Sequence, residues 1–366
     1  MTYDSSKFGC EIDALAVGSG SRSGDAICMR WGNLYGKREE QIVLVIDGGF
    51  ADTGDAIARH LRNVYHTDEV NLIINTHPHE DHIGGLKTIV EEFKVGGIVM
   101  KTPWTYEGLS EYFDDARRTD QSIKKILKEK FNVAKQLYDL AQSKKIAIYN
   151  NIFPRMVHCD KVEFYILGPS KDYYNELIPN FKLSPNDQDY KGKSRVEFLG
   201  FRKPSISYPL SDRGDTSAEN NSSLIFAFRL PGGQILLFTG DAGMPALEKA
   251  IIEAKNMNLD IQSNIAFLQL PHHGSIQNIG PTILDKILGK SSQKCDSKTV
   301  WVLASASKAD ENHPAEHVVN AILDRNGKCY STEGRNIRFP FGSVPNREGW
   351  TSSTPKKYND VVEAFV

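Results

Sequence analysis

Four metal-capable side chains fall within six residues at His77-Pro78-His79-Glu80-Asp81-His82. They follow directly on the apolar run Leu72–Ile74 and precede Gly84-Gly85. An extended backbone through residues 77–79 turns two imidazoles to the same side. Asp81 and His82 then stand on the turn that opens a helix, where they can face a second ion beside the first. Imidazole and carboxylate donors at this density suit zinc, and less often iron or manganese. The bland reading, four polar residues at a loop tip, gives no reason for the spacing.

The rest of the chain must fold so as to serve that segment. Several apolar runs of strand length end at Gly or Pro and deliver an Asp or His there. Ile42–Ile46 leads to Asp47, Ile235–Phe238 to Asp241, Ile265–Leu270 to His272 and His273, and Val300–Ala304 to the loop of His313. Strands that carry such residues on one rim make a site in the crevice beyond their ends. Helical patterns lie between them, at 55–65, 85–93, 121–144, 246–256 and 317–324, so an α/β fold of sheets covered by helices is expected. Residues about 101–155 and 170–220 read as insertions, the first with one long amphipathic helix at Gln121–Lys144, the second as a long loop. Residues 351–366 read as a tail with a short helix.

Composition excludes several classes. The 44 basic and 46 acidic residues give a formal charge of −2, so no bulk positive charge holds this chain to nucleic acid or lipid. A local basic groove stays open. No apolar run approaches the roughly 18–20 residues of a membrane span, and Met1–Gly9 has no apolar signal core. The five cysteines, at 10, 28, 159, 295 and 329, form no C-x-x-C pair. They are expected to be reduced core thiols in a cytoplasmic protein.

With H-x-H-x-D-H-x-G-G after a strand, with the strand-end Asp47 before it and with Asp241 and His272 after it, the chain resembles the metallo-β-lactamase superfamily. The resemblance implies a four-layer αββα sandwich and a single domain over 1–366 with the two insertions. It implies that His77, His79, Asp81, His82, Asp241 and His272 hold one or two zinc ions, with manganese as the alternative. Asp47 would support the histidine loop, and Asp241 would bridge two metals. Within the superfamily, the ComEC type is most similar. Leu15–Ile27, Asn220-Asn221-Ser222-Ser223-Leu224, Pro271-His272-His273-Gly274-Ser275 and Asn312-His313-Pro314 carry that resemblance. The stretch 101–215 carries none of it.

One departure stands out. Many superfamily members place a further metal histidine before the bridging-Asp strand, whereas Ser217–Ser223 holds Glu219, Asn220 and Asn221 and no histidine. The first metal position then keeps only His77, His79 and Asp241 plus an oxygen ligand or water. His158 is the nearest spare histidine, and a core or loop role suits it better. His273 is expected as a neighbour or substrate contact, and His313 as a contact to the leaving oxygen or a phosphate, acting as general acid. His60 and His66 are expected at the surface, and His317 in solvent. Asp25 reads as a turn carboxylate near the site. Arg117, Arg118 and the Lys124–Lys130 run could line a nucleic-acid groove or simply form a solvated face. Trp104 and Tyr106 could stack on a base or pack in a turn.

These residues predict metal-dependent hydrolysis by a metal-activated water, with Asp81, Asp241, His273 and His313 as the catalytic set. The resemblance implies a phosphodiesterase or nuclease acting on DNA, in defence against foreign DNA with a protein partner encoded nearby. A small-molecule hydrolase for a phosphoester, cyclic nucleotide or lactone is the alternative. A metal-stabilised binding module that has lost a ligand is the non-enzymatic reading.

Overall fold

Neighbouring strands at Ala26–Gly32 and Gln41–Gly48 show how the layers arise. Successive side chains of a strand point to opposite faces. Cys28, Val43 and Val45 therefore join one buried cluster with the helices, while Ile27, Met29, Trp31, Leu44 and Ile46 join another. The same split occurs at Ile225–Arg229, where Ile225 and Ala227 face helices and Phe226 and Phe228 face the other sheet. Three cores between four layers follow: helices, sheet, sheet, helices. That is the αββα architecture the family resemblance implies.

The computed structural model describes residues 7–18, 20–115, 117–181, 210–291 and 299–363. In chain order the strands are β1 (Gly9–Ala14), β2 (Ala26–Gly32), β3 (Gln41–Gly48), β4 (Glu69–Val70), β5 (Leu72–Ile74), β6 (Lys94–Val95), β7 (Gly97–Val99) and β8 (Ala147–Tyr149). They continue as β9 (Arg155–Cys159), β10 (Val162–Gly168), β11 (Ile225–Arg229), β12 (Ile235–Phe238), β13 (Ile265–Gln269), β14 (Val300–Ala304), β15 (Gly327–Ser331) and β16 (Ile337–Gly342). One seven-stranded sheet has the order β16-β1-β2-β3-β5-β7-β8 and the other β15-β14-β13-β12-β11-β10-β9, while β4 and β6 form a small pair. Each large sheet is antiparallel on one side and parallel on the other: β3, β5, β7 and β8 run together in the first, and β12 to β15 in the second. The carboxyl ends of β3, β5, β12, β13 and β14 are where Asp47, His77, Asp241, His272 and the His313 loop emerge.

Several sequence expectations change. The single helix expected over 121–144 is two, Asp120–Lys130 and Asn132–Ser143. Phe131 leaves helical geometry (φ −99°, ψ 45°) and turns into the core against Phe181. These helices form the crossover between β7 and β8 and bury Ile123, Leu127, Ala134, Leu137 and Ala141 against the first sheet. The 170–220 stretch contains a helix at Lys171–Leu177, and its remainder from 182 to 209 lies outside the described residues. His60 is buried rather than exposed, because its Nε2 meets the buried Asp13 carboxylate at 2.9 Å. His317 is also buried, on the inner face of the helix Glu316–Leu323, whereas His66 is exposed as expected. Trp104 is buried edge-on to Tyr138, and the Tyr106 hydroxyl bonds the Asn150 carbonyl. Turn packing is thus the role of both rings. Cys10, Cys28 and Cys329 are free and buried and Cys159 is free; Cys295 lies outside the described residues. A short helix at Asp360–Glu363 ends the described chain.

The inter-sheet core centres on stacked Phe226 and Phe238, 5.1 Å apart, with Phe267 5.3 Å from Phe238. Phe238 is fully buried. Replacing Phe238 with alanine should cost about 3–5 kcal/mol, whereas Ile252→Ser at an exposed helix position should stay within about 0.5 kcal/mol. Urea unfolding of both variants checks this, and equal midpoints would contradict the placement of the inter-sheet core.

Candidate metal centre

Asp47 is the anchor. It ends β3 with a positive φ of 54° and is fully buried. Its Oδ1 accepts from the Thr76 backbone N–H at 2.8 Å, and its Oδ2 from the Thr76 hydroxyl at 2.6 Å. That leaves the Thr76 oxygen as acceptor toward His77 Nδ1, 3.1 Å away. His77 therefore carries its proton on Nδ1 and turns a bare Nε2 inward. His82 Nδ1 donates to Asp47 Oδ2 at 2.8 Å, so one carboxylate orients both rings and aims their Nε2 atoms at the same cavity. Such carboxylate–histidine pairs fix the tautomer of metal-ligating imidazoles.

Asp241 stands opposite, on the loop after β12. Its N–H donates to Ser223 Oγ at 3.1 Å and its carbonyl accepts from Asn278 Nδ2 at 2.8 Å. Its two oxygens face different groups. Oδ2 is 3.7 Å from His77 Nε2 and 3.7 Å from His272 Nε2, while Oδ1 is 3.2 Å from His82 Nε2. Gly240 allows this approach. Its φ is 51°, and a Cβ there would sit 2.8 Å from Thr76 Cβ. Gly85 is similarly required: a Cβ would lie 2.3 Å from the Gly48 carbonyl oxygen, where the motif helix packs on β3.

Two groups of donors result, His77 with His79 and Asp241, and Asp25 with His82, Asp241 and His273. Asp81 borders the second, with Oδ2 3.7 Å from His82 Nε2 and 3.8 Å from His273 Nε2. The placement differs from expectation at the consecutive histidines. His273, not His272, gathers with His82, and the two rings lie 5.7 Å apart. His272 stands on the His77 side of Asp241. Both residues adopt left-handed backbone (φ 48° and 59°), which throws adjacent side chains to opposite flanks of the Asp241 carboxylate. Asp25, read from sequence as a turn carboxylate, is buried inside the centre, 3.8 Å from His273 Nδ1. His158 is exposed on β9 opposite Glu163 and takes no part.

His313 lies at the rim, with its ring 5.9 Å from His272 and 6.1 Å from His273. Its Nδ1 donates to Asp310 Oδ2 at 3.0 Å. Burial and the neighbouring His273 hold its pKa below the usual imidazole value, despite Asp310. Thr76, Asn278 and Asp310 are residues that motif reading missed. Each stands within six residues of a histidine it orients, and that proximity was the available signal.

The charge balance shows what the centre accommodates. Asp25, Asp47 and Asp241 are buried and Asp81 is half-buried. Both oxygens of Asp25, Asp241 Oδ1, His82 Nε2 and His273 Nδ1 have no hydrogen-bond partner among the described residues. Buried carboxylates demand compensating positive charge. Protons supply it here: burial would lower the His82 pKa, but Asp241, Asp81 and Asp47 hold it well above the usual range. Burial likewise opposes charging of His273, yet Asp81, Asp241 and Asp25 push it up to about 9. His77 Nε2 also lies only 3.1 Å from His79 Nδ1, so a cation or a shared proton must sit between them. Imidazole and carboxylate donors in this arrangement fit one or two divalent cations.

Comparison with known proteins agrees. The model of the Metallo-beta-lactamase superfamily matches residues 37–143. The chain's two mixed sheets with outer helices match the metallo-β-lactamase fold. No curated protein matches the sequence. Among solved structures, a diphosphatase from the PhnP family is 12% identical, over 92% of this chain and 99% of that one, with a TM-score of 0.40. Tm1679, described as a metal-dependent hydrolase of the β-lactamase superfamily, is 13% identical over 91% and 100%, with a TM-score of 0.43. CmlA, a diiron β-hydroxylase from Streptomyces venezuelae, is 11% identical over 91% of this chain, which spans only 54% of CmlA, with a TM-score of 0.44. At such scores these likenesses define neither activity nor substrate.

A divalent cation must displace the protons on His82 and His273. Calorimetry in buffers of different ionisation heat should therefore show proton release at pH 7, and affinity should rise from about pH 6 to pH 9. Binding without proton release would contradict the assignment. Asp47→Asn should weaken metal affinity by about 10- to 100-fold, read by competition with a chelating dye.

Proposed function

We propose that this chain is a metal-dependent hydrolase of the ComEC type that cleaves phosphodiesters, with DNA as the first substrate to test. The observation that carries the reading is Asp241, which offers one carboxylate oxygen to each of two imidazole groups. His77, His79 and Asp241 would hold one cation, and Asp81, His82, Asp241 and His273 the other, with zinc first and manganese as the alternative. Bound there, the ions supply a water of lowered pKa and positive charge for the oxygens of the scissile group.

The chain's own residues do the positioning and the proton handling. Asp47 and Thr76 take up the Nδ1 protons of His82 and His77 and aim both Nε2 atoms inward. Asp25 adds negative charge beside His273 and favours a doubly cationic centre. His313, neutral and held through Nδ1 by Asp310, presents Nε2 at the rim. There it can accept a proton and return it to the leaving oxygen. The general-acid role expected from sequence thus becomes a relay in which uptake precedes donation.

The substrate's size is the open dimension, and one observation favours a small phosphoester over a long strand. The basic run is largely neutralised: Lys124 pairs with Glu107 at 2.6 Å, Lys130 with Glu219 at 2.8 Å and Lys125 with Glu129 at 4.0 Å. Arg117 pairs with Asp115 at 2.9 Å. A groove of about 780 Å³ along this helix is lined by Lys124, Lys125 and Lys128, but also by Glu107 and Asp120. DNA held there would be gripped weakly and released by salt.

The test is cleavage of single- and double-stranded DNA and of bis-p-nitrophenyl phosphate with Mn²⁺ or Zn²⁺. Asp241→Ala should lower kcat by at least about 100-fold. DNA cleavage that falls with salt supports the nuclease, and cleavage of the small ester alone supports the small-molecule reading. Activity equal in the wild type and Asp241→Ala would overturn both.

A further inference from the structure

The His77–His79 position is one imidazole short, because the segment before β11 has no histidine. His272 occupies the free flank. Its Nε2 is 3.7 Å from Asp241 Oδ2, the same oxygen that His77 Nε2 faces at 3.7 Å. A tetrahedral centre with bonds of about 2.0–2.1 Å has donor–donor edges of roughly 3.3–3.4 Å. The 3.1 Å separation of His77 and His79 and the two 3.7 Å separations from Asp241 bracket that value, and His272, which lies outside the close group of His77, His79 and Asp241, completes the position by a shift of its ring toward them.

Whether His272 can bind depends on which ring nitrogen carries the proton. The answer lies in Asn278, which is fully buried six residues on. Its Nδ2 donates to the Asp241 carbonyl at 2.8 Å and to the Ala242 carbonyl at 3.4 Å. Carbonyl oxygens only accept, so the amide cannot turn over without losing both bonds. Its Oδ1 must therefore face His272 Nδ1, at 3.1 Å, and accept a proton from it. Asn220 approaches the same nitrogen at 3.4 Å through Nδ2, while its Oδ1 has no hydrogen-bond partner. Asn220 Nδ2 also donates to Thr216 Oγ1 at 2.9 Å, and the shorter, better-fixed contact with Asn278 sets Nδ1–H on His272. The backbone N–H of His272, bonded to the Gly240 carbonyl at 3.1 Å, fixes the ring's base.

We infer that His272 supplies the third imidazole of the His77–His79 position, in place of the histidine this chain lacks, and that Asn278 is the positioning residue that keeps its Nε2 bare. The consecutive histidines then serve one ion each, His272 the first and His273 the second. The inference rests on the proposed metal centre and names how this chain completes it.

Two measurements test it. In metal-free, ¹⁵N-histidine-labelled protein, the imidazole nitrogen shifts of His272 should report a protonated Nδ1 and a bare Nε2. Asn278→Ala should move the proton toward Nε2 and weaken the first site by about 10- to 100-fold. Cobalt titration should give two equivalents in the wild type and one tight equivalent in His272→Gln, with the visible spectrum of the lost site absent. His272 is about one-third exposed, so that variant tests the inference even if Asn278→Ala fails to fold. Two tight equivalents in His272→Gln, or a wild-type His272 protonated on Nε2, would overturn the inference and leave the hydrolase reading standing. A wild type that binds no cobalt would overturn both.

Discussion

The centre depends on one buried carboxylate. Asp47 receives the Thr76 backbone and hydroxyl, and through them His77, while it binds His82 directly. Removing one partner of a buried charged pair costs about 3–5 kcal/mol, so this network holds its geometry firmly. It also ties two strand ends together, since Asp47 closes β3 and Thr76 follows β5. The parallel pairing of β3 with β5 brings them side by side. The sheet thereby fixes the ring positions before any ligand arrives.

The second sheet presents the complementary half. Asp241 leaves β12, and His272 and His273 leave β13, its parallel neighbour. The Leu224 N–H donates to the Thr76 carbonyl at 2.9 Å and joins the two rims, while the His272 N–H donates to the Gly240 carbonyl at 3.1 Å within the second. The result is a largely buried cluster of four carboxylates, Asp25, Asp47, Asp81 and Asp241, among five imidazoles, His77, His79, His82, His272 and His273. Protonation of His82 and His273 balances the metal-free charge, and divalent cations would balance it with fewer groups.

Much of this was legible in the sequence. The H-x-H-x-D-H segment, the strand-end Asp47 and Asp241 and the Pro-His-His-Gly run each follow an apolar run of strand length, and the layer assignment came with the family resemblance. Three features were not legible. Which of His272 and His273 faces which flank depends on two successive left-handed residues, and no spacing rule specifies that conformation. The break at Phe131 depends on tertiary burial against Phe181 overriding helical periodicity. The burial of His60 depends on Asp13, 47 residues away in the chain. Orienting residues such as Asn278 and Asp310 carry no motif of their own. They emerge only when donors and acceptors are counted around each ring.

The central claim is that Asp241 bridges two cation positions with one consecutive histidine on each side. Anomalous scattering from a crystal grown with zinc, recorded at the zinc edge, tests it most directly. The account predicts two peaks flanking the Asp241 carboxylate, one among His77, His79 and His272 and the other among Asp81, His82 and His273. A single peak, or a first peak with His272 turned away from it, would contradict the account.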